Sequence, residues 1–387
     1  MKKLILLLLF LISFAFKGKS QTTNDILDLL ILNKTITQAQ ADSVRAEAAI
    51  KQQDADAKKK SFPVLAAKAF KIGGYGQVRY QRLEESGKTD GIDIRRAYID
   101  LRGTISPYWD FRLQADFSSS PKLMDLYTDL KLKGYLNFSI GQQVIPFSLN
   151  NTTSNTKLEI PDRVQVVESL SARKGDVLED QNGRDIGIAL YGSFLPINDL
   201  NLIEYRVGIF NGSGINKGDL NEAQDIIGRL ILHPVKGLDL GGSYYSGWTP
   251  DSATIYKDQG LPTKKTNTAA NQLGGLRERI GGELSYTYKF ANIKCEYLTG
   301  KDKKVSKSGY YVQLAAFVLP NTLQLVGRYD TYDKDTDKSK NAVTNYTVGV
   351  NYYFNPNILL QTAYTIRQEE GTNVDNNNGI IQLQISF

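Results

Sequence analysis

Residues 109–117 read Trp-Asp-Phe-Arg-Leu-Gln-Ala-Asp-Phe, and apolar and polar side chains alternate through the whole stretch. Successive side chains of a β-strand point to opposite faces, so one face of this segment is apolar and the other is polar. The same period of two recurs in residues 203–209, 346–352 and 381–387. From Phe70 onward, the sequence therefore predicts about sixteen strands that each bury one face only.

The connections between the predicted strands alternate between short and long. The short ones hold turn residues, as in Lys133-Gly134 and Asn355–Asn357, whereas Leu83–Gly91, Gln142–Gly183 and Gly300–Ser308 are long and polar. Tight turns at one end and long loops at the other are typical of bacterial outer-membrane barrels. We predict an all-β fold, a transmembrane antiparallel up-and-down β-barrel of about 16 strands that leaves an aqueous channel. A secreted soluble β-domain is the alternative.

Two segments precede the predicted barrel. Residues 1–20 combine Lys2 and Lys3 with an apolar run and small residues, the layout of a signal peptide for Sec export. In residues 21–69, Thr37 followed by Gln40 has the form of a helix capping box. We expect a short N-terminal helical periplasmic segment here, either a hairpin or coiled coil shared by subunits or a solvated linker. The β-barrel is assigned to residues 70–387.

Composition excludes several classes of function. The formal net charge is +6, and four lysines of the first twenty residues contribute to it, which leaves about +2 and gives no reason to expect nucleic acid as a partner. A single cysteine, Cys295, excludes an intrachain disulfide and a cysteine-based zinc site, and we expect no metal and no cofactor. The only histidine, His233, precedes Pro234 at a predicted periplasmic turn, so we interpret it as structural and predict no enzyme activity.

With the apolar faces outward, the polar faces must line a lumen, and arginine is the main cation on them. Its planar guanidinium suits phosphate and carboxylate oxygens, and rings of cations select anions in pores. The predicted pore-lining or anion-binding residues are Arg79, Arg96, Arg112, Lys131, Arg206, Arg229, Arg279 and Arg328. Acids on the same faces are nearly as numerous, so the alternative is that these cations are paired and only solvate the wall.

Several short motifs follow one another in a fixed order. They are Asp-Ile-Arg-Arg-Ala-Tyr-Ile-Asp-Leu-Arg-Gly at 93–103, Gly-Gln-Gln-Val-Ile-Pro-Phe-Ser-Leu at 141–149, Gly-Arg-Asp-Ile-Gly at 183–187 and Val-Gly-Ile-Phe-Asn-Gly at 207–212. In this order and spacing they resemble the phosphate-selective porin O and P family, over residues 70–387. The resemblance implies a sixteen-stranded homotrimeric barrel with an N-terminal periplasmic helical piece, through which phosphate or larger polyanions diffuse.

The resemblance also points to individual residues. The paired arginines of the family's Arg-Arg-Ala strand look like Arg95 and Arg96, and strict alternation turns only Arg96 inward. The final residues, Ile381–Phe387, look like the signal that barrel-assembly machinery reads. In such porins the third external loop commonly folds into the lumen, which here is Gln142–Gly183, with an external lid as the alternative. Its candidate constriction residues are Arg163, Arg173 and Lys174.

The chain departs from the family pattern in one respect, because inward lysines are few and inward acids nearly match the bases. We predict a diffusion porin in the outer membrane of a Gram-negative bacterium, in contact with outer-membrane lipids. It passes small hydrophilic solutes and prefers anions such as phosphate through its inward arginines. The alternative is a general non-selective or sugar porin with a charge-paired lumen.

Overall fold

The computed structural model describes residues 70–387 apart from 179, 198–199, 220–222, 251–272 and 373, together with individual positions between 27 and 47. The chain divides into two compact units, residues 1–66 and residues 67–387. The predicted signal peptide lies outside the described residues.

The described positions of the first unit are mostly helical. The capping box predicted there is present: the Thr37 N–H donates to Gln40 Oε1 at 2.9 Å, and the Gln40 N–H donates to Thr37 Oγ1 at 3.3 Å. None of the helices in the described part of the chain has the length and apolarity needed to cross a bilayer.

The second unit is a closed barrel. Its described residues form sixteen antiparallel strands, each paired with its neighbours along the chain, and β1 pairs with β16 to close the sheet. The predicted fold class is therefore confirmed. The strands are β1 (Phe70–Leu83), β2 (Gly91–Ser106), β3 (Trp109–Asp116), β4 (Lys122–Lys133), β5 (Leu136–Val144), β6 (Arg184–Ile197), β7 (Leu200–Phe210), β8 (Asp225–Val235), β9 (Leu238–Pro250), β10 (Leu273–Tyr288), β11 (Ala291–Asp302), β12 (Val305–Leu319), β13 (Leu323–Asp333), β14 (Ala342–Asn355), β15 (Ile358–Glu369) and β16 (Asn378–Ser386).

The two faces of the sheet differ as the alternation predicts. In β1, Val78 and Tyr80 are exposed on the outside, whereas Gln77 and Arg79 are buried inside the barrel. Exposed apolar side chains recur on the outer face of the other strands, and buried Gln, Asn, Arg and Asp recur on the inner face. This inversion of the usual polar surface and apolar core is what a lipid-facing barrel with a polar lumen requires.

One predicted long loop is wrong. Residues 300–308 do not form a loop, because β11 and β12 continue to Asp302 and Val305 and leave only Lys303 and Lys304 between them. The stretch is polar on both faces, which removes the alternation by which strands are recognised. A polar strand pair is stable here because its ladder is continuous and Lys307 Nζ lies 2.8 Å from Asp302 Oδ2.

The connection between β5 and β6, residues 145–183, is named here the inner loop. It contains α1 (Leu149–Thr152), a 3-10 turn at Asn155–Lys157 and α2 (Gln165–Leu170). Its apolar side chains pack against the inner face of distant strands, where Val166 and Leu170 join a buried cluster with Leu298 and Tyr311. A loop that packs on the inner face of a closed sheet lies in the lumen.

The tip of the inner loop reaches the far wall of the barrel. Asn155 Nδ2 donates to Tyr75 Oη on β1 at 3.0 Å. From β15, Gln361 Nε2 donates to the Leu158 carbonyl at 2.9 Å. The loop therefore crosses the lumen from β5 to the seam between β1 and the last strands, and it is not an external lid.

Candidate functional site

Cavities lie beside the inner loop in the described part of the lumen, and two of them share Arg112. One, of about 350 Å³, is lined by Arg112, Arg206 and Arg229 from the wall and by Thr152 of the loop. The other, of about 300 Å³, is bordered by Arg112 as well and by Thr156 of the loop. Arg112 therefore borders both of these spaces beside the loop.

The Arg112 cluster, defined as Arg102, Asp100, Arg112, Asp125 and Arg184, alternates cations and carboxylates along the wall. Asp100 Oδ2 lies 2.8 Å from Arg102 Nη2 and 2.7 Å from Arg112 Nη2. Asp125 lies 3.0 Å from Arg112 Nη1 and 2.6 Å from Arg184 Nε. Three guanidinium groups share two carboxylates, so the cluster carries one excess positive charge.

A β-bulge brings both arginines of the Arg-Arg-Ala motif to the lumen. Gln77 pairs with Arg96, and the next residue, Val78, pairs with Ile94, so Arg95 is the extra residue of β2. At a bulge, two residues of one strand lie opposite one residue of its partner, and the alternation of side chains between the two faces is interrupted. The expectation that alternation turns only Arg96 inward is therefore wrong, because Arg95 reaches the inner loop as well.

Asp162, at the tip of the inner loop, contacts three arginines of the wall. Its Oδ1 lies 3.5 Å from Arg79 Nη1 and 3.7 Å from Arg95 Nη2, and its carbonyl accepts a hydrogen bond from Arg328 Nη1 at 2.9 Å. Arg79 also donates to Asp93, from Nε to Oδ1 at 3.1 Å. Paired charges of both signs thus fasten the loop tip to the wall.

Two of the predicted pore-lining cations have no carboxylate oxygen within 4.0 Å among the described residues. Arg96 Nη1 donates to Gln77 Oε1 at 2.8 Å. Arg206 donates to Gln143 Oε1, and its guanidinium carbon lies 5.0 Å from the centre of the Tyr191 ring, a cation–π contact. These two guanidinium groups keep their charge uncompensated at close range.

The remaining predicted pore-lining cations pair with carboxylates of the wall. The pairs are Lys131 with Asp110, Arg229 with Glu283, Arg279 with Asp302, and Arg328 with Asp330. A paired cation still has N–H donors for a solute. Its attraction for a passing ion, however, is largely cancelled by the neighbouring carboxylate. The lumen therefore combines paired charges over most of its wall with a few unpaired arginines.

The arginines of the inner loop donate to the loop itself. Arg163 Nη2 donates to the Thr153 carbonyl at 2.8 Å, and Arg173 Nε donates to Asn151 Oδ1 at 2.7 Å. Burial lowers the pKa of both guanidinium groups, that of Arg173 to about 10. Their donors stabilise the folded loop, whereas the side chain of Lys174 is exposed.

Glu296 on β11 anchors the start of α1. Its Oε1 accepts the Leu149 N–H at 2.8 Å, and its Oε2 accepts the Asn150 N–H at 3.2 Å. Further along the loop, Glu159 pairs with Lys294 and accepts a hydrogen bond from Gln313 Nε2 at 3.0 Å. The loop is thus held to β11 and β12 at two separate points.

The sequence profile of the family described as "Phosphate-selective porin O and P" matches residues 70–193 and 253–387. The chain belongs to this family. No curated protein matches the chain. The family and the sixteen-stranded barrel identify an outer-membrane porin, which is a channel.

Several solved structures share the fold of this porin at low sequence identity. OmpT of Vibrio cholerae is 13% identical with a TM-score of 0.55, over 82% of this chain and 97% of that chain. The trimer form of in-vitro folded Vibrio cholerae OmpT is 11% identical with a TM-score of 0.57, over 82% of this chain and 99% of that chain. The high-pH structure of Pseudomonas putida OprB is 11% identical with a TM-score of 0.56, over 83% of this chain and 94% of that chain.

Sequence reasoning missed three residues of the porin's charged clusters. Arg95 is the extra residue of one bulge and Asp125 adjoins another, and at a bulge the alternation no longer tells which face a side chain takes. Arg184 belongs to a motif noted above, but it stands at the first position of β6, where a loop ends and alternation has not begun. The Gly before it, Gly183, has φ of +68° and marks this change of direction.

Proposed function

We propose that this porin is an anion-preferring diffusion channel for small hydrophilic solutes, including phosphate, and that it is not an enzyme. The observation that carries the proposal is the unpaired state of Arg96 and Arg206 on the inner wall among the described residues. An uncompensated guanidinium in a narrow, partly desolvated passage attracts anions and repels cations.

The Arg112 cluster supports the same proposal. It holds three guanidinium groups against two carboxylates and borders both cavities beside the inner loop. Guanidinium groups that already bond a carboxylate still present further N–H donors to a phosphate or chloride ion.

A second candidate is a general or sugar porin with a charge-paired lumen. It is favoured by the carboxylate partners of Arg79, Arg112, Lys131, Arg229, Arg279 and Arg328. If pairing governs the lumen, selectivity between chloride and potassium is weak, and removal of one unpaired arginine changes it little.

The two candidates are separated by the reversal potential of the purified protein in a planar bilayer under a KCl gradient. We expect the sign of an anion-selective channel, and a several-fold lower chloride preference in the double variant Arg96→Gln, Arg206→Gln. Arg82→Gln is the matched control, because Arg82 is exposed on the outer face of β1. A cation-selective sign in the unmodified protein would refute the anion preference.

We further propose export through the Sec system, an outer-membrane location in a Gram-negative bacterium and assembly as a homotrimer, with outer-membrane lipids around the apolar outer face. The trimer form of Vibrio cholerae OmpT, similar in fold, supports the oligomeric state. For Ile381–Phe387 we propose recognition by barrel-assembly machinery, and for residues 21–69 a periplasmic helical segment. Crosslinking of the protein in intact membranes tests the trimer.

A further inference from the structure

We propose that the cavity of about 350 Å³ beside Arg206 binds a monosaccharide that carries a single carboxylate, in preference to inorganic phosphate. This inference rests on the proposed anion preference and names the class of anion. Three properties of the cavity carry it: its charge balance, its hydrogen-bond acceptors and its apolar side.

One lining cation of the cavity is free to pair with a single negative charge. Arg112, Arg206 and Arg229 line it together with Asp125 and Glu204. Arg112 lies 3.0 Å from Asp125, and Arg229 pairs with Glu283 on β10, so Arg206 is the lining cation that has no carboxylate within 4.0 Å in the described part of the chain. A carboxylate neutralises one guanidinium, whereas a phosphate dianion brings a second charge that the lining carboxylates repel.

The carboxylates of the cavity suit the hydroxyl groups of a sugar. Sugar hydroxyls are donors, and each needs an acceptor where water is displaced. Glu204 supplies such an acceptor, since its side chain is 57% exposed and the basic group recorded beside it is the imidazole of His233, with Nε2 at 3.8 Å from Oε2. Phosphate recognition relies mainly on donors such as guanidinium groups.

The cavity also has an apolar side, formed by Val144, Pro146 and Ile231. The ring of a pyranose has C–H faces that gain from contact with apolar side chains, and inorganic phosphate has none. The volume lies within the range of small-molecule sites, in which apolar walls surround a few oriented polar groups. Tyr191 under the guanidinium of Arg206, at 5.0 Å, fixes the orientation of that donor.

The test is block of the chloride current in a planar bilayer by D-glucuronate, inorganic phosphate and glucose. We expect half-block by glucuronate at a concentration about tenfold lower than by either of the others, equivalent to one strong charge-assisted interaction. Arg206→Gln should lose this tenfold advantage, and the outer-face control Arg82→Gln should keep it.

Glu204→Ala removes the acceptor and the negative charge together. Block by glucuronate should weaken, because its hydroxyl groups lose an acceptor, whereas block by phosphate should strengthen, because a repelling carboxylate is removed. Heat-modifiable gel mobility verifies that each variant is folded. Equal block by phosphate and glucuronate in an anion-selective channel overturns the sugar-acid site alone, whereas a cation-selective reversal potential in KCl overturns the proposed function.

Discussion

Asp162 affects both the selectivity of the lumen and the stability of the inner loop. It holds the loop tip through Arg79 and Arg95, and in doing so it offsets the charge of both. Arg79 has a second partner in Asp93, whereas Asp162 is the carboxylate found within 4.0 Å of Arg95 in the described residues. The charge that Arg95 presents to a solute at the tip therefore depends on one carboxylate.

We expect Asp162→Asn to raise the ratio of chloride to potassium permeability. The substitution keeps the shape of the side chain and frees the guanidinium of Arg95, while Arg79 keeps its pair with Asp93. This corresponds to a rise of roughly two- to fivefold for pairs of this exposure. Reversal potentials in a KCl gradient measure the ratio. Asp335→Asn is the control, since Asp335 pairs with Lys338 at 2.8 Å outside the barrel wall. An unchanged or lower ratio in the Asp162 variant would contradict the prediction.

At this scale the sequence allowed the face of most side chains to be predicted, but not their partners. Arg79, Arg112 and Arg229 were placed on the inner face by alternation alone. Alternation failed at Arg95, because a bulge depends on how two strands register and not on the residue types of one strand. Which arginine stays unpaired is decided by contacts between strands far apart in the sequence.

The inner loop is the element that gives the lumen its constriction, and Glu296 holds its first helical turn. The two carboxylate oxygens accept the N–H groups of Leu149 and Asn150, at 2.8 and 3.2 Å. These donors belong to the start of a helical turn, where no intrahelical acceptor exists. A carboxylate at this place satisfies both and opposes the partial positive charge of the exposed amides.

We expect Glu296→Ala to loosen the inner loop. Two buried N–H groups would lose their acceptor, at a cost of about 1–3 kcal/mol each. Single-channel recordings should then show added current noise and extra conductance levels, with a lower unfolding temperature. Glu296→Gln keeps one acceptor oxygen and should lie between the Ala variant and the unmodified protein. A quiet channel of unchanged conductance in the Ala variant would show that the loop is held elsewhere.

The length of residues 142–183 predicted an unusual loop, and it left open whether the loop lies inside or outside the barrel. The loop lies inside because two of its apolar side chains, Val166 and Leu170 of α2, pack in one buried cluster with the wall. The wall contributes Leu298 and Tyr311 to this cluster. Those wall positions look like any other inward residue until the barrel is assembled. The prediction of a long loop at residues 300–308 failed for a different reason. This stretch is polar on both faces, so it lacks the alternation by which a strand is recognised.

Closure of the barrel joins the two ends of the described wall. Phe387 and Gly74 exchange two backbone hydrogen bonds of 3.0 Å, and β1 pairs with β16 along its length. A Cβ atom at Gly74 would lie 2.3 Å from the Tyr98 carbonyl and 2.7 Å from Cζ of the Phe387 ring. The seam therefore needs a residue without a side chain at this point.

We expect Gly74→Val to impair closure. The clash with the Tyr98 backbone cannot be relieved by a rotamer change, so the variant should refold more slowly in detergent and lose heat-modifiable gel mobility at a lower temperature. Gly76→Val is the matched control on the same strand, because a Cβ there meets nothing within 4 Å. Equal refolding of both variants would contradict the role given to Gly74.

The strand number, the pairing order and the closed architecture were all predictable, because turn spacing and side-chain period act locally along the chain. The cavities and the charge balance were not, because they arise where the inner loop meets strands remote from it.

The inner loop has a consequence for how the molecule is built. Its tip bonds Tyr75 of β1 on one side and Gln361 of β15 on the other, and only β16 lies between these two strands. A segment that holds both flanks of an unfinished seam raises the effective concentration of one edge at the other. The segment that narrows the finished pore thus also ties together the two flanks of the seam at which the wall closes.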